Sequence, residues 1–242
     1  MEYYEQEGLS GSRLGLLARS PAHYREAVDN PKEPTEAMQF GSLVHSLLLE
    51  PGSSNYLVLP EGMRRDKRNK DYAALLATGR PLVRHQDMAA AEEMVDAVRL
   101  DQASSLVMAD SEFEAPFFWV EDEVQCKGKL DIYNAEAYYI ADYKTCIDAS
   151  PEKFRYKVLD MGYLLQLAHY QAAVKQSTGR DAYPGAMVIA QEKESPYVVQ
   201  VYSINQALID EAHEHRRRLL ALYKECSASG VWHGYSKEVI EL

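Results

Sequence analysis

The 242-residue chain has only three cysteines, Cys126, Cys146 and Cys226, and no CxxC pair among them. That scarcity excludes a disulfide framework and a four-thiolate zinc site, and leaves the three as reduced packing residues. Long apolar runs are missing too: no stretch approaches the roughly 18 residues a membrane span requires. The opening MEYYEQEG has neither a basic n-region nor an apolar h-region, so a cytoplasmic protein is expected. Positive charge is also short, with 26 Lys and Arg against 37 Asp and Glu and a net charge of −11. This argues against a protein that coats nucleic acid through a uniformly basic surface. Internal repeats and low-complexity segments are absent.

What is present is an apolar share of 46%, enough for one sizeable core, so a single unit over residues 1–242 with surface insertions is expected. Residues 61–84 stand out within it. They hold seven basic side chains (Arg64, Arg65, Lys67, Arg68, Lys70, Arg80 and Arg84) against the acids Glu61, Asp66 and Asp71, a local basic insertion in an otherwise acidic chain. It could grip phosphates, or be a solvated loop or helix face.

Periodicity predicts a short helix over 11–28, broken at Pro21, with Ser10 or Ser12 as its cap. A second helix is predicted over 35–49, with Met38, Gly41, Val44 and Leu48 on one stripe and His45 beside it. An Ala-rich helix over 86–107 precedes three extended runs, 112–120, 124–133 and 138–145, that read as a meander. A helix over 151–177, strands over 186–192 and 197–204 and a charged helix over 205–227 complete the pattern. The tail, with Trp232 and Tyr235, is expected to dock on the body or on another subunit.

The second hairpin of the meander carries the chemistry. If its turn is centred between Glu136 and Ala137, Asp131 lies directly opposite Asp142. Alternation then puts Lys129, Asp131, Asp142 and Lys144 on one face and Leu130, Ile132, Ala141 and Tyr143 on the other. Two carboxylates across a ladder, with Cβ atoms about 5 Å apart, repel unless compensated. A hard divalent cation such as Mg²⁺ or Mn²⁺ compensates them and takes oxygen ligands. Lys144 beside it could stabilise phosphoryl charge or help deprotonate a water. A salt-bridge lattice on a solvated sheet face would use the same four residues.

The order of His45 in GSLVH, then GKLD, then DYK, then Gln166 and Tyr170 in QLAHY resembles the PD-(D/E)XK nuclease superfamily. More narrowly, SRLGLLARSPAHYREA followed by AMQFGSLVHSLLLEP is similar to the nuclease domain of RecE-like exodeoxyribonuclease VIII, related to the lambda-type exonucleases, over residues 9–170. The resemblance implies an α/β (α+β), restriction-endonuclease-like fold, a mixed central sheet with helices on both faces. It implies His45, Asp131 and Asp142 as metal ligands, with the backbone carbonyl of Tyr143 as a further one, and Lys144 as the catalytic lysine. Of the first-strand acids Glu112 and Glu114, Glu114 is preferred as an outer ligand.

By the same resemblance Gln166 and Tyr170, at i and i+4, would contact the active-site strands or the DNA backbone, although an ordinary packed helix explains them as well. Ser12, helped by Arg13, would take a terminal phosphate, the competing role for the serines being helix capping. Arg64, Arg65, Lys67 and Arg68 complete the expected DNA contacts. In the iron–sulfur branch of these nucleases a cysteine precedes the proline where Ser20 stands here, and further cysteines cluster near the C-terminus, where this chain has Cys226 alone. No iron–sulfur cluster is expected.

The implied activity is a phage-type, Mg²⁺- or Mn²⁺-dependent exodeoxyribonuclease that acts 5′-to-3′ on linear double-stranded DNA and leaves 3′ overhangs for recombination. The expected partners are DNA ends, further copies in a trimeric or tetrameric ring, and a single-strand annealing recombination protein. A ring with a basic channel would reconcile the acidic net charge with DNA binding. A structure-dependent or single-strand nuclease of the same fold, and a non-catalytic DNA-binding subunit, are the other readings.

Overall fold

The computed structural model describes residues 3–52, 55–182 and 185–241. The chain opens with α1 (Gly11–Arg19) and α2 (Pro21–Asp29), which meet at Ser20. Pro21 at the first helical position tolerates its missing N–H there, while the Ser20 hydroxyl caps α2 by accepting from the His23 amide. Ser10, rather than Ser12, is the cap of α1. Helix α3 (Glu36–Leu49) starts at the capping Thr35 and buries Leu43, Val44, Leu48 and Leu49. The predicted stripe holds at Val44 and Leu48, whereas Met38 in the first turn points to solvent.

Two short parallel strands, β1 (Leu57–Val58) and β2 (Leu82–Val83), bracket the basic insertion, which holds α4 (Lys70–Leu76). The single helix expected over 86–107 is two, α5 (His85–Leu100) and α6 (Gln102–Met108). Asp101 breaks it by turning its carboxylate onto the Ser104 amide and hydroxyl, the usual competition of a short acid with helix backbone.

The meander follows as β3 (Glu112–Glu121), β4 (Val124–Asn134) and β5 (Tyr139–Cys146). Next come α7 (Pro151–Asp160) and α8 (Tyr163–Thr178), again two helices where one was predicted, because Gly162 adopts φ +73° between them. Strands β6 (Ala186–Glu192) and β7 (Val199–Ile204) and the long α9 (Gln206–Ser229) end the regular structure.

The sheet order is β3-β4-β5-β6-β7, antiparallel except for the parallel β5–β6 pair, which the α7–α8 crossover joins. Helices cover both faces, as expected for this fold. On one side Leu14, Leu17, Phe154, Leu167, Ile209 and Leu220 pack with Leu130, Ile140 and Val188. On the other, Leu43, Val44, Met94 and Val98 pack with Ile132, Ala141, Tyr143 and Ile189. Leu130 thus departs from the face assigned to it with Ile132. The tail docks on its own chain: Trp232 stacks on Tyr24, with centroids 5.1 Å apart, and the His233 carbonyl accepts from the Ala22 amide.

The feature that shapes the site is a fork between β4 and β5. Their ladder runs from Asn134↔Tyr139 to Ile132↔Ala141 and stops. Below it, β4 takes a different neighbour: Leu9 lies along it, its amide donating to the Gln125 carbonyl and its carbonyl accepting from the Lys127 amide. Gly8, at φ +153°, permits this approach, since a Cβ there would come within 3.1 Å of the Lys127 side chain. The stretch between Gly128 and Asp131 is the crotch of the fork.

Candidate metal centre

Two hairpins bring three acids into one row. The β3–β4 turn has only Asp122 and Glu123 between the paired Glu121 and Val124, both with positive φ, the primed hairpin geometry that matches strand twist. Counting back through Ala115↔Leu130 and Phe113↔Ile132 places Glu114 opposite Asp131. The β4–β5 register, read from Ile132↔Ala141, places Asp131 opposite Asp142 as expected. At both rungs the ladder is interrupted. Glu114 has φ +53°, a left-handed backbone that costs a non-glycine residue about 1 kcal/mol. At Asp131 the carboxylate substitutes for the ladder: its Oδ2 accepts the Tyr143 amide at 2.9 Å.

His45 reaches this row from α3, where the strands part. Its Nε2 lies 3.2 Å from Asp131 Oδ2 and 3.4 Å from Glu114 Oε1. One ligand atom from each of His45, Glu114 and Asp131 falls within 4.8 Å of the others. The second Glu114 oxygen pairs with Lys129, whose ammonium also lies 3.3 Å from Glu50. On the far side Lys144 Nζ lies 2.7 Å from Asp142 Oδ2 and over the Tyr163 ring.

The electrostatics follow from this crowding. Burial raises the Asp142 carboxyl, and the neighbouring Asp131 raises it further, outweighing Lys144. Burial works the same way on Asp131, but His45, Lys144 and the Tyr143 amide outweigh it and hold that carboxyl below the usual range. His45 is lowered by burial and raised more by Asp131, Glu114 and Asp142. Burial opposes the charge on Lys144, yet the two aspartates hold its pKa above the ordinary value. Asp142 Oδ1 is buried without a hydrogen-bond partner. An orphaned carboxylate oxygen beside a second buried acid is costly unless a cation satisfies it. The donor set, carboxylates plus one imidazole, fits a hard divalent cation.

A cavity of about 390 Å³ opens onto the row, and Ser12, Arg13, His45, Glu114, Asp131, Gln166 and Tyr170 line it. Sequence reasoning named each of these. Gln166 donates to the Tyr170 hydroxyl at 2.7 Å, so the pair acts as one polar wall. Asp142 and Lys144 are not among the residues that line the cavity; they adjoin the row beside Asp131. Arg64, Arg65, Lys67 and Arg68 are not brought there: they are exposed on the insertion, where Arg65 and Arg84 approach Glu36 and Arg68 pairs with Asp66. The sequence reading missed the links from Lys129 to Glu114 and Glu50, and the aromatic pair Tyr3 and Tyr4 on the cavity wall. The register of the first hairpin could have supplied the Glu114 position, since a two-residue turn fixes it.

A structure from Eubacterium rectale described as a candidate exonuclease aligns with 93% of this chain and 85% of its own, at 19% identity and a TM-score of 0.64. A phage-related exonuclease from Haemophilus somnus 129PT aligns with 94% of this chain and 98% of its own, at 12% identity and a TM-score of 0.42. The first of these shares the fold. No curated protein matches the chain. The model of the PDDEXK-like domain of unknown function (DUF3799) matches residues 10–240, and the chain belongs to that PDDEXK-like family.

Proposed function

We propose that the protein is a divalent-cation-dependent nuclease, an exodeoxyribonuclease that degrades linear double-stranded DNA 5′-to-3′ and leaves 3′ overhangs. The observation that carries it is the row Glu114–Asp131–Asp142, with His45 at one end and Lys144 bonded to Asp142 at the other. His45, Glu114, Asp131 and Asp142 would hold the cation, with the Tyr143 carbonyl as a further donor, and Mg²⁺ or Mn²⁺ suits these ligands. Bound there, a divalent cation supplies Lewis-acid polarisation of the phosphoryl group.

The chain's own groups do the rest. Lys144, partly exposed and held in its charged form by the aspartates, is placed to hydrogen-bond a phosphoryl oxygen as negative charge grows on it. The Tyr143 amide fixes Asp131 before substrate arrives, and the Gln166–Tyr170 wall orients the backbone of the bound strand. Ser12 and Arg13 supply donors for phosphate oxygens at the cavity edge. Strand polarity, the duplex preference, a trimeric or tetrameric ring, and a role in recombination beside a single-strand annealing protein are supported by the RecE-like resemblance.

Linear duplex labelled at either the 5′ or the 3′ end, incubated with Mg²⁺, Mn²⁺ or chelator, tests the reading. Cation-dependent release of 5′-terminal nucleotides is expected, falling at least a hundredfold in Asp142→Ala and Lys144→Ala. Full activity of those variants, or intact linear duplex, would refute it. Digestion of covalently closed circles would shift the assignment to a structure-dependent or single-strand nuclease.

A further inference from the structure

Tyr3 and Tyr4 have no role in the chemistry above, yet both line the same cavity as the acid row. Their segment is fastened down. Lys127 Nζ donates to the Tyr3 and Gln6 carbonyls at 3.2 and 2.6 Å, and Leu9 pairs with β4 just beyond. The Tyr3 ring is wedged between Lys127, 4.7 Å from its centroid, and Phe118, with centroids 5.7 Å apart. Tyr4 meets Tyr3 edge-on at 5.3 Å and lies 5.7 Å from the Lys129 ammonium. It is nevertheless 78% exposed. A single exposed aromatic is ordinary on a protein surface. This one is held from behind by an anchored segment, and its free side lies at a cavity whose remaining walls are charged or polar.

We propose that Tyr4, backed by Tyr3, is a stacking platform for the nucleobase of the nucleotide whose phosphate meets the acid row. This rests on the nuclease reading of the same cavity. The three walls carry three chemistries: carboxylates and His45 that suit a cation, Ser12 and Arg13 that suit phosphate oxygens, and an aromatic face. A nucleotide presents the matching set, since its phosphate binds a cation and takes donors while its base offers a π-face. An aliphatic ligand would find no apolar wall opposite Tyr4. Because every base has a π-face, stacking tolerates sequence, so the platform would accept a DNA end of any sequence. Lys129 holds Glu114 on one side and faces the Tyr4 ring on the other, so the cation end and the aromatic end are one side chain apart.

The test uses a short duplex with 2-aminopurine at the 5′-terminal position, titrated with the full chain in a Lys144→Ala background with Mn²⁺ and, separately, in chelator. Fluorescence quenching on binding is expected with Tyr4 and with Tyr4→Phe. In Tyr4→Ala the quenching is expected to vanish and affinity to fall about tenfold, equivalent to about 1.4 kcal/mol. An abasic 5′ terminus should weaken binding when Tyr4 is present and make no difference in Tyr4→Ala. Quenching retained in Tyr4→Ala, a Tyr4→Phe variant that behaves like Tyr4→Ala, or no quenching in either condition would overturn the proposal. Cleavage is scored separately on the native sequence: quenching without cleavage removes the nuclease reading and keeps the platform, and cleavage without quenching removes the platform alone.

Discussion

At Asp142 one carboxylate oxygen bonds Lys144 and the other bonds nothing, an asymmetry that a folded core tolerates poorly and a cation site uses. Burial alone would push both aspartates toward the neutral form. The structure resolves the conflict unequally, holding Asp131 ionised through His45 and the Tyr143 amide and leaving Asp142 to be raised. Glu114 adds a third acid at a backbone conformation it would not adopt freely. If these groups are assembled for a cation, calorimetric titration with Mn²⁺ should show binding in the wild type. Glu114→Gln should bind about tenfold more weakly, because one ligand becomes neutral and Lys129, left with Glu50 alone, is less well compensated beside the site, and Asp131→Asn should give no detectable heat. Equal Kd values for all three proteins would show that the row is a structural ion-pair lattice.

Among the secondary elements, breaks matter as much as lengths. Both helices that the sequence predicts as continuous, over 86–107 and 151–177, are divided in the structure. At Asp101 a side chain outcompetes the backbone ladder. At Gly162 a left-handed residue turns the chain so that α8 can lay Gln166 and Tyr170 on the acid row. A Cβ at Gly162 would meet no atom within 4 Å, so Gly162→Ala probes backbone conformation alone. It should lower unfolding stability by about 1 kcal/mol, read as a lower urea midpoint at unchanged m-value. A neutral effect would mean the α7–α8 joint relaxes without cost. The strands were more legible, because both hairpins declare their registers through short turns, and those registers deliver Glu114, Asp131 and Asp142 to one row.

Across the whole molecule, the helical layer behind the site is pinned by a buried polar network. Arg216 of α9, 1% exposed, pairs with Glu121 of β3 and donates to His169 Nδ1 of α8 at 3.2 Å. His169 must then carry its proton on Nε2, 3.1 Å from the Lys127 carbonyl. Burial, reinforced by Arg216, pulls the His169 pKa down from 6.5 to about 3. The sign follows from linkage: the unfolded chain binds this proton below about pH 6.5 and the folded one does not. The stabilisation is therefore complete above pH 6.5 and is lost as pH falls from 6.5 toward 3, by about 1.4 kcal/mol per pH unit. Glu121, whose pKa Arg216 and Trp119 hold down against burial, acts in the same direction at the acid end of that window. Denaturant midpoints between pH 7 and 4 should fall steeply, and His169→Gln should flatten the slope. Arg216→Ala, which leaves Glu121 half-buried without its cation, should cost about 3–5 kcal/mol. A flat wild-type profile would show that water reaches His169.

The sequence by itself determined the acid-lysine hairpin, its register, and the element types around it, because alternation and turn length are local rules. The PD-(D/E)XK resemblance, borne out by the family match over residues 10–240, supplied His45, which no local pattern distinguishes from an ordinary helical histidine. Tertiary structure alone decided the rest. The fork between β4 and β5 exists because the segment around Leu9, far away in sequence, takes over the edge of β4. The same docking brings Tyr4 to the cavity and Lys127 to its anchor. Periodicity specifies which side chains share a face; which distant segment occupies a strand edge is a competition among long-range contacts, and that is settled only when the chain is packed.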